Sequence, residues 1–145
     1  MKSLFALPVL LALFTVRTED AVQPLGEHDW AVDPVHSAAM FKVMHANASN
    51  FYGGFDAIEG TVTLDPAAPA SGKVKLVIPV DSIHTRDGKR DDHLKGPDFF
   101  NSKENPHIAF ASTKIAAKGE GVYEVTGDLE IAGETQSVTM MVKKV

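Results

Sequence analysis

The 145 residues of this chain include no cysteine. Disulfides, thiolate nucleophiles and cysteine-based metal sites are therefore excluded, although this absence does not fix the compartment. An excess of positive charge is also missing, since the formal net charge is −5. General nucleic-acid binders and binders of anionic membranes need a basic field. The composition thus argues against both of those partners and is otherwise ordinary for one globular domain.

A long apolar run is absent too. The apolar run from residue 4 to residue 16 is too short to cross a bilayer as an ordinary helix. It follows one early positive charge, Lys2, which is the pattern of a secretory signal. We predict a signal peptide over residues 1–21, a domain over residues 22–145, no integral membrane span, and a periplasmic or secreted location. Because no clear small-x-small cleavage site follows, a buried or frayed N-terminal segment is the alternative.

The body of the chain alternates apolar and polar residues with period two, which is typical of half-buried β-strands. Gly53 and Gly54 are expected to break the chain between two strands. Pro79 suggests an edge strand or a bulge, and the AGET segment at 132–135 predicts a tight turn. Strands are predicted at 30–32, 37–46, 58–64, 73–80, 107–118, 122–131 and 136–145.

Short strands at this spacing predict an all-β fold, either an antiparallel sandwich or an up-and-down barrel. Periodicity by itself identifies only core positions, and Trp30 is expected among them at the base of the barrel. The inward candidates are Phe41, Val43, Phe55, Val62, Leu76, Ile78, Phe110, Leu129, Ile131, Val138 and Met140.

The connection over residues 86–106 is unusually long and charged for a compact domain. A helical turn is predicted near 88–95, ended by Gly96 and Pro97. We interpret this stretch as a lid on one mouth of the barrel, in which Arg90 and Asp91 pair. Leu94, Phe99 and Phe100 are then its apolar plug, with Phe99 and Phe100 as candidate ligand contacts. The alternative is a solvated connection with weak surface ion pairs.

Histidines are numerous, but they are spread over different predicted strands and loops without metal-ligand spacing. No metal site is predicted. His36, near Asp33, suggests part of a hydrolase site, yet a nucleophile elbow is missing. We predict no catalytic residues, hydrogen-bonded strand positions for His36 and His45, and an anchoring role in the lid for His93. A His or Arg at the mouth is also a candidate to meet a polar ligand head group. The residues assigned to the mouth or lid are His36, His45, Arg90, Asp91, His93 and Leu94.

Six motifs in order resemble the YceI-like family of small bacterial periplasmic proteins, and the resemblance covers about residues 28–142. They are Trp-x-x-Asp-x-x-His-Ser at 30–37, Gly-x-Phe at 53–55, Arg-Asp-x-His-Leu at 90–94, Asp-Phe-Phe at 98–100, Pro-x-Ile-x-Phe-x-Ser at 106–112 and Gly-x-Leu-x-Ile-x-Gly at 127–133.

This resemblance implies a lipocalin-like antiparallel β-barrel whose apolar cavity binds an isoprenoid quinone or another polyprenyl chain, with no established catalytic residues. Family members continue beyond the point where this chain stops, and those residues supply the last strands. We therefore expect a barrel that lacks its C-terminal strands in this chain.

The function expected from the resemblance is non-catalytic binding or transport of an isoprenoid lipid, with no cofactor besides that ligand. Two alternatives stay open. One is a lipid hydrolase or isomerase that uses the neighbourhood of His36 and His93. The other is a stress or interaction module whose core is filled by its own side chains. A homodimer is compatible with the sequence. The head group, tail length and delivery partner are not specified by it.

Overall fold

The computed structural model describes residues 25–144, so the predicted signal peptide lies outside the described residues. Within this range the chain forms nine strands, one α-helix and two short 3-10 helices, Pro69–Ser71 and Val80–Ser82. The other elements are β1 (Asp29–Ala31), β2 (Ala39–His45), β3 (Ser49–Phe55), β4 (Glu59–Thr63), β5 (Lys73–Pro79), β6 (Ile83–His84), α1 (Gly88–Lys95), β7 (His107–Gly119), β8 (Val122–Ile131) and β9 (Glu134–Lys143).

The strands form two antiparallel sheets. The larger has six strands in the order β1-β4-β5-β7-β8-β9, and the smaller has three in the order β2-β3-β6. The two sheets do not close on each other in the described residues, and the arrangement is a partial barrel. The all-β antiparallel class is therefore confirmed.

Two local predictions are confirmed. The turn between β8 and β9 consists of Ala132 and Gly133, whose φ angles are 52° and 81°. Positive φ at both central residues is the geometry that two-residue hairpins favour. Helix α1 covers the predicted residues, with the carboxylate of Asp87 accepting a hydrogen bond from the Arg90 amide at 3.0 Å. This is an N-cap, which satisfies a free amide of the first turn.

The apolar core consists of two clusters. The helix-side cluster is centred on the buried Phe55, Val80, Ile83 and Ile108. The sheet cluster is centred on the buried Phe110, Ile115, Tyr123 and Val125. Leu129 packs against both, so the two clusters form one continuous apolar region.

The predicted break at Gly53 and Gly54 is wrong, because β3 runs through both glycines. The ring of Phe41, the residue opposite Gly53 on β2, lies where a side chain at 53 would be. The Phe41 ring thus covers the backbone at Gly53, which has no side chain of its own. Strand β3 continues through both glycines.

The predictions for Pro79 and Trp30 are also wrong. Strand β5 lies inside the six-stranded sheet, between β4 and β7. Pro79 is tolerated because it is the last residue of that strand, where the chain turns into a 3-10 helix. Trp30 is 44% exposed. Its strand β1 is at the edge of the sheet, and the Lys144 ammonium lies 6.0 Å from the ring centroid.

Candidate functional site: an apolar sheet face closed at one end

The candidate site is the inner face of the six-stranded sheet, which we define as the face carrying Leu76, Phe110 and Leu129. These three residues are directly opposed on β5, β7 and β8, so their side chains point to the same side. A second row comprises Ile115, Val125 and Met140, which are opposed in the same way. The alternation along β5, with exposed lysines on the other side, produces this face directly from the sequence.

One end of the inner face is closed by aromatic and helical residues. The Phe55 and Phe100 ring centroids are 5.7 Å apart with an interplanar angle of 78°, and Phe41 lies 5.9 Å from Phe55 on another side. Leu94 of α1 packs against the same cluster. The helix and the segment after it therefore cover this end with apolar side chains.

In the other part of the inner face, Ile115 and Val125 are buried at the centre, whereas the rim is only half-buried. A small pocket of about 30 Å³ lies there, lined by apolar residues of five strands and by Leu64. Val62, Val74 and Val142 contribute to it, and Val142 is exposed. The described residues thus present an apolar groove here instead of an enclosed cavity.

Thr85 connects α1 to the small sheet. It is 1% exposed, and its hydroxyl donates a hydrogen bond to the Asp91 carboxylate. Arg90 donates from Nε to that same hydroxyl oxygen at 2.9 Å, and from its terminal nitrogen to the Thr85 carbonyl at 2.7 Å. The Arg90 guanidinium also lies 4.3 Å from the centroid of the Phe51 ring. Two charged side chains therefore hold the helix through one buried threonine.

The predicted ion pair between Arg90 and Asp91 is wrong. Among the ion pairs of residues 25–144, these two do not pair with each other. They are adjacent in the sequence, but each forms a hydrogen bond with the hydroxyl of Thr85. Sequence reasoning missed Thr85, because a single threonine before a capping aspartate carries no signal of burial.

The histidines do not converge. The predicted strand position of His36 is wrong, because this residue lies in the turn that precedes β2. His36 is exposed, and its Nδ1 lies 2.8 Å from the Asp33 carboxylate. That hydrogen bond, together with the Val35 amide, lowers the pKa of Asp33. His93 lies on α1, 3.5 Å from Asp98. His45 is exposed at the end of β2.

His36 and His93 thus each contact a different aspartate. In the part of the chain that the structure describes, no group of three His, Asp or Glu side chains is placed to hold a metal ion.

Most predicted cavity residues lie in the two clusters, but four do not. Val43 is 50% exposed, because the outer half of β2 pairs with β3 alone. Phe99 is 51% exposed and packs its ring against His93, with the centroids 5.1 Å apart. Ile131 is exposed beside the β8–β9 turn. The fourth, Val62, lines the small pocket beside the sheet cluster. Those in the clusters are Phe41, Phe55, Ile78, Phe100, Leu76, Phe110, Leu129, Val138 and Met140.

A sequence model of the YceI-like domain matches residues 30–145. The chain is 35% identical over 144 residues to a UPF0312 protein of Pseudomonas aeruginosa, covering 98% of this chain and 72% of that one. It is 33% identical over 141 residues to a UPF0312 protein of Yersinia pestis, covering 96% and 70%. The chain therefore belongs to the YceI-like family, as the motifs predicted.

Two solved structures show the same fold. BcnA of Burkholderia cenocepacia superposes with a TM-score of 0.67 at 31% identity, over 73% of this chain and 65% of that one. The YceI protein of Campylobacter jejuni superposes with a TM-score of 0.60 at 29% identity, over 76% and 64%. The chain thus spans slightly under two thirds of these two solved chains. In residues 25–144, helices long and apolar enough to cross a membrane are not found.

Proposed function

We propose that this chain binds an isoprenoid lipid along the inner face, without chemistry, outside the cytoplasm. The observation that carries the proposal is the continuity of the apolar region, in which Leu129 packs against both clusters. Membership of the YceI-like family supports it. An apolar, elongated surface supports this ligand chemistry, because it suits an extended hydrocarbon better than a compact polar molecule.

The dimensions of the sheet support a long ligand. Strand β8 has ten residues, which corresponds to about 33 Å at the usual rise of a strand. Burial of an apolar chain contributes about 2.5 kcal/mol for each 100 Å² removed from water. Affinity then grows with tail length more than with the identity of the head group.

The closed end sets a direction for the ligand in this proposal. The tail end lies toward Phe55 and Phe100, where apolar rings and α1 cover the region. The head group lies at the half-covered end, near the groove lined by Val62 and Val142. A polar head needs no dedicated pocket there, because that end is open to water.

Native mass spectrometry on protein purified without detergent, followed by solvent extraction, tests the proposal. We expect a bound mass that matches a prenyl quinone or a polyprenyl lipid. As a defined probe, farnesol is then titrated into the delipidated protein. A folded protein that is empty in the first experiment and does not bind farnesol in the second would contradict the proposal. That outcome would favour the filled-core interaction module.

Export is proposed from the sequence of residues 1–21, and it has its own test. The N-terminus of the protein isolated from a periplasmic fraction is sequenced. A start at residue 22 supports the cleaved signal. An intact Met1 in a cytoplasmic fraction would contradict it.

A further inference from the structure

A second pocket, of about 80 Å³, lies on the outer side of the three-stranded sheet. We call it the outer recess; its walls include Met40, Tyr52, Gly54, Asp56, His84 and Arg86. Met40 and Tyr52 are exposed, whereas their neighbours Phe41 and Phe51 pack on the other side of the sheet. Phe55, which is buried in the helix-side cluster, also lines the recess, so the recess borders that cluster from the outer side of the small sheet. Its lining does not include Leu76, Phe110 or Leu129, which define the inner face.

Gly54 keeps the floor of the outer recess open. A Cβ at this position would lie 3.1 Å from the Met40 sulfur and 3.0 Å from the Ala39 carbonyl oxygen. Glycine therefore allows the Met40 thioether to lie close to the strand. With the Tyr52 ring nearby, the floor and walls are mostly apolar.

Charges of both signs surround this apolar floor. Arg86 and Asp56 line the same recess, yet neither takes part in an ion pair among residues 25–144. Arg86 has a φ of 65°, a left-handed conformation that is unfavourable for a residue with a Cβ. It directly follows Thr85, whose carbonyl and hydroxyl are held by Arg90. The anchor that holds α1 thus also determines where the Arg86 backbone lies.

We propose that the outer recess binds a free α-amino acid with a small apolar side chain. A carboxylate suits the Arg86 guanidinium, which can donate two parallel hydrogen bonds, and His84 adds a further polar partner. An ammonium group suits the Asp56 carboxylate. The recess, at about 80 Å³, is of a size that suits a small aliphatic side chain. This ligand uses every charged group of the recess and its apolar floor.

Three related compounds test the proposal by calorimetric titration of the full chain. Leucine carries both charges, 4-methylpentanoate lacks the ammonium, and 3-methylbutylamine lacks the carboxylate. We expect leucine to bind at least tenfold more tightly than either analogue. Equal affinity for all three, or no detectable leucine binding, would overturn the proposal.

Substitutions test whether leucine binds in the outer recess. Arg86→Gln and Asp56→Asn are each expected to weaken leucine binding at least tenfold. Lys89→Gln, at an exposed lysine of α1 that does not line the recess, is the matched control and is expected to change nothing. Farnesol binding is expected to be unchanged in all three variants, which separates this site from the proposed lipid site.

An NMR spectrum of the backbone amides provides a check that requires no variants. Leucine is expected to shift the amide signal of Gly54, which lies in the recess beside Met40. Shifts confined to residues of the inner face would contradict the assignment, because they would mean that leucine occupies the lipid groove.

Discussion

The Phe41 ring lies over Gly53, its directly opposed partner on the neighbouring strand, in the space that a side chain at 53 would occupy. The ring also contacts Phe55, with centroids 5.9 Å apart. The helix-side cluster therefore depends on a glycine in the middle of a strand. On the larger sheet the Phe110 ring also lies close to Gly127, although the residue directly opposed to Gly127 is Ser112.

Replacing this glycine is expected to destabilise the fold. In Gly53→Ala the new methyl group forces the Phe41 ring away from Phe55, and overpacking of this kind costs about 1–3 kcal/mol. Urea denaturation measures the change in the free energy of unfolding. Gly119→Ala is the matched control, because Gly119 is also in a strand and a Cβ there meets nothing within 4 Å. Equal effects of the two changes would contradict the close packing at Gly53.

Loss of the Thr85 hydroxyl is expected to loosen α1. Thr85→Val keeps the shape but leaves Arg90 and Asp91 without their shared partner. Losing buried hydrogen bonds of this kind costs about 1–3 kcal/mol. Thr135→Val, at an exposed position of β9, is expected to be close to neutral. Amide exchange of α1 provides the readout: faster exchange in Thr85→Val alone supports the anchor, and unchanged exchange refutes it.

The two adjacent phenylalanines after α1 are expected to differ in their effect on the ligand. Phe100→Ser opens the closed end, so farnesol release should accelerate by tenfold or more, with some loss of stability. Phe99→Ser is the control, because that ring is exposed. Phe100→Leu retains apolar bulk if the serine variant does not fold, and it should show a smaller acceleration. If stopped-flow measurements give the same farnesol release rate for all three variants, Phe100 does not close this end.

Two neighbouring methionines of β9 allow a test of which face of the sheet binds the lipid. Met140 packs against the sheet cluster, whereas Met141 is 60% exposed. Met140→Gln is expected to weaken farnesol binding about tenfold, which corresponds to about 1.4 kcal/mol of lost apolar burial. Met141→Gln should leave affinity unchanged. If the two substitutions have the same effect on affinity measured by calorimetry, the inner face is not the lipid site.

Asp29 is expected to make stability depend on pH. Its carboxylate accepts hydrogen bonds from the Thr63 hydroxyl at 2.6 Å and from the Gly26 amide at 3.0 Å. The Thr63 bond is the largest influence holding the pKa of Asp29 below its ordinary value. Because the folded pKa is the lower one, ionised Asp29 stabilises the fold above about pH 3.9, and this contribution disappears as the pH falls through the folded pKa.

Urea denaturation between pH 3 and pH 7 checks this expectation with Asp29→Asn. The stability difference between the native protein and the variant should be present at neutral pH and shrink below about pH 3.9. Asp128→Asn, at an exposed position of β8, serves as the control. A difference that stays constant over the whole range would contradict the argument.

Much of the architecture could be predicted because it depends on local patterns. The alternation of Val74, Leu76 and Ile78 with lysines correctly placed one face of β5 inward. The residues around Gly96 ended α1 where the sequence indicated. The turn at Gly133 has the positive φ that such sequences favour. Each of these is decided by a residue and its near neighbours.

The candidate site was predicted less completely, because its limits depend on partners distant in sequence. Phe99 and Phe100 are identical residues side by side, and their sequence does not say which one turns inward. The Phe100 amide donates to the Leu94 carbonyl, and its ring meets Phe55. Val43 and Ile131 fit the alternation of apolar and polar residues, but both are exposed. Val43 lies in β2, which pairs with β3 alone, and Ile131 lies at the end of β8.

By itself, the sequence determined the strand periodicity, the position of α1, the tight turn and the family, because each of these depends on contiguous residues or on ordered motifs. Only the tertiary structure decided that β3 continues through Gly53, that Thr85 joins Arg90 to Asp91, and that Phe100 closes one end while Phe99 faces solvent. The physical reason is that burial and hydrogen-bond satisfaction belong to pairs of residues from different elements. Such pairs exist only after the sheets have formed and α1 has packed against them.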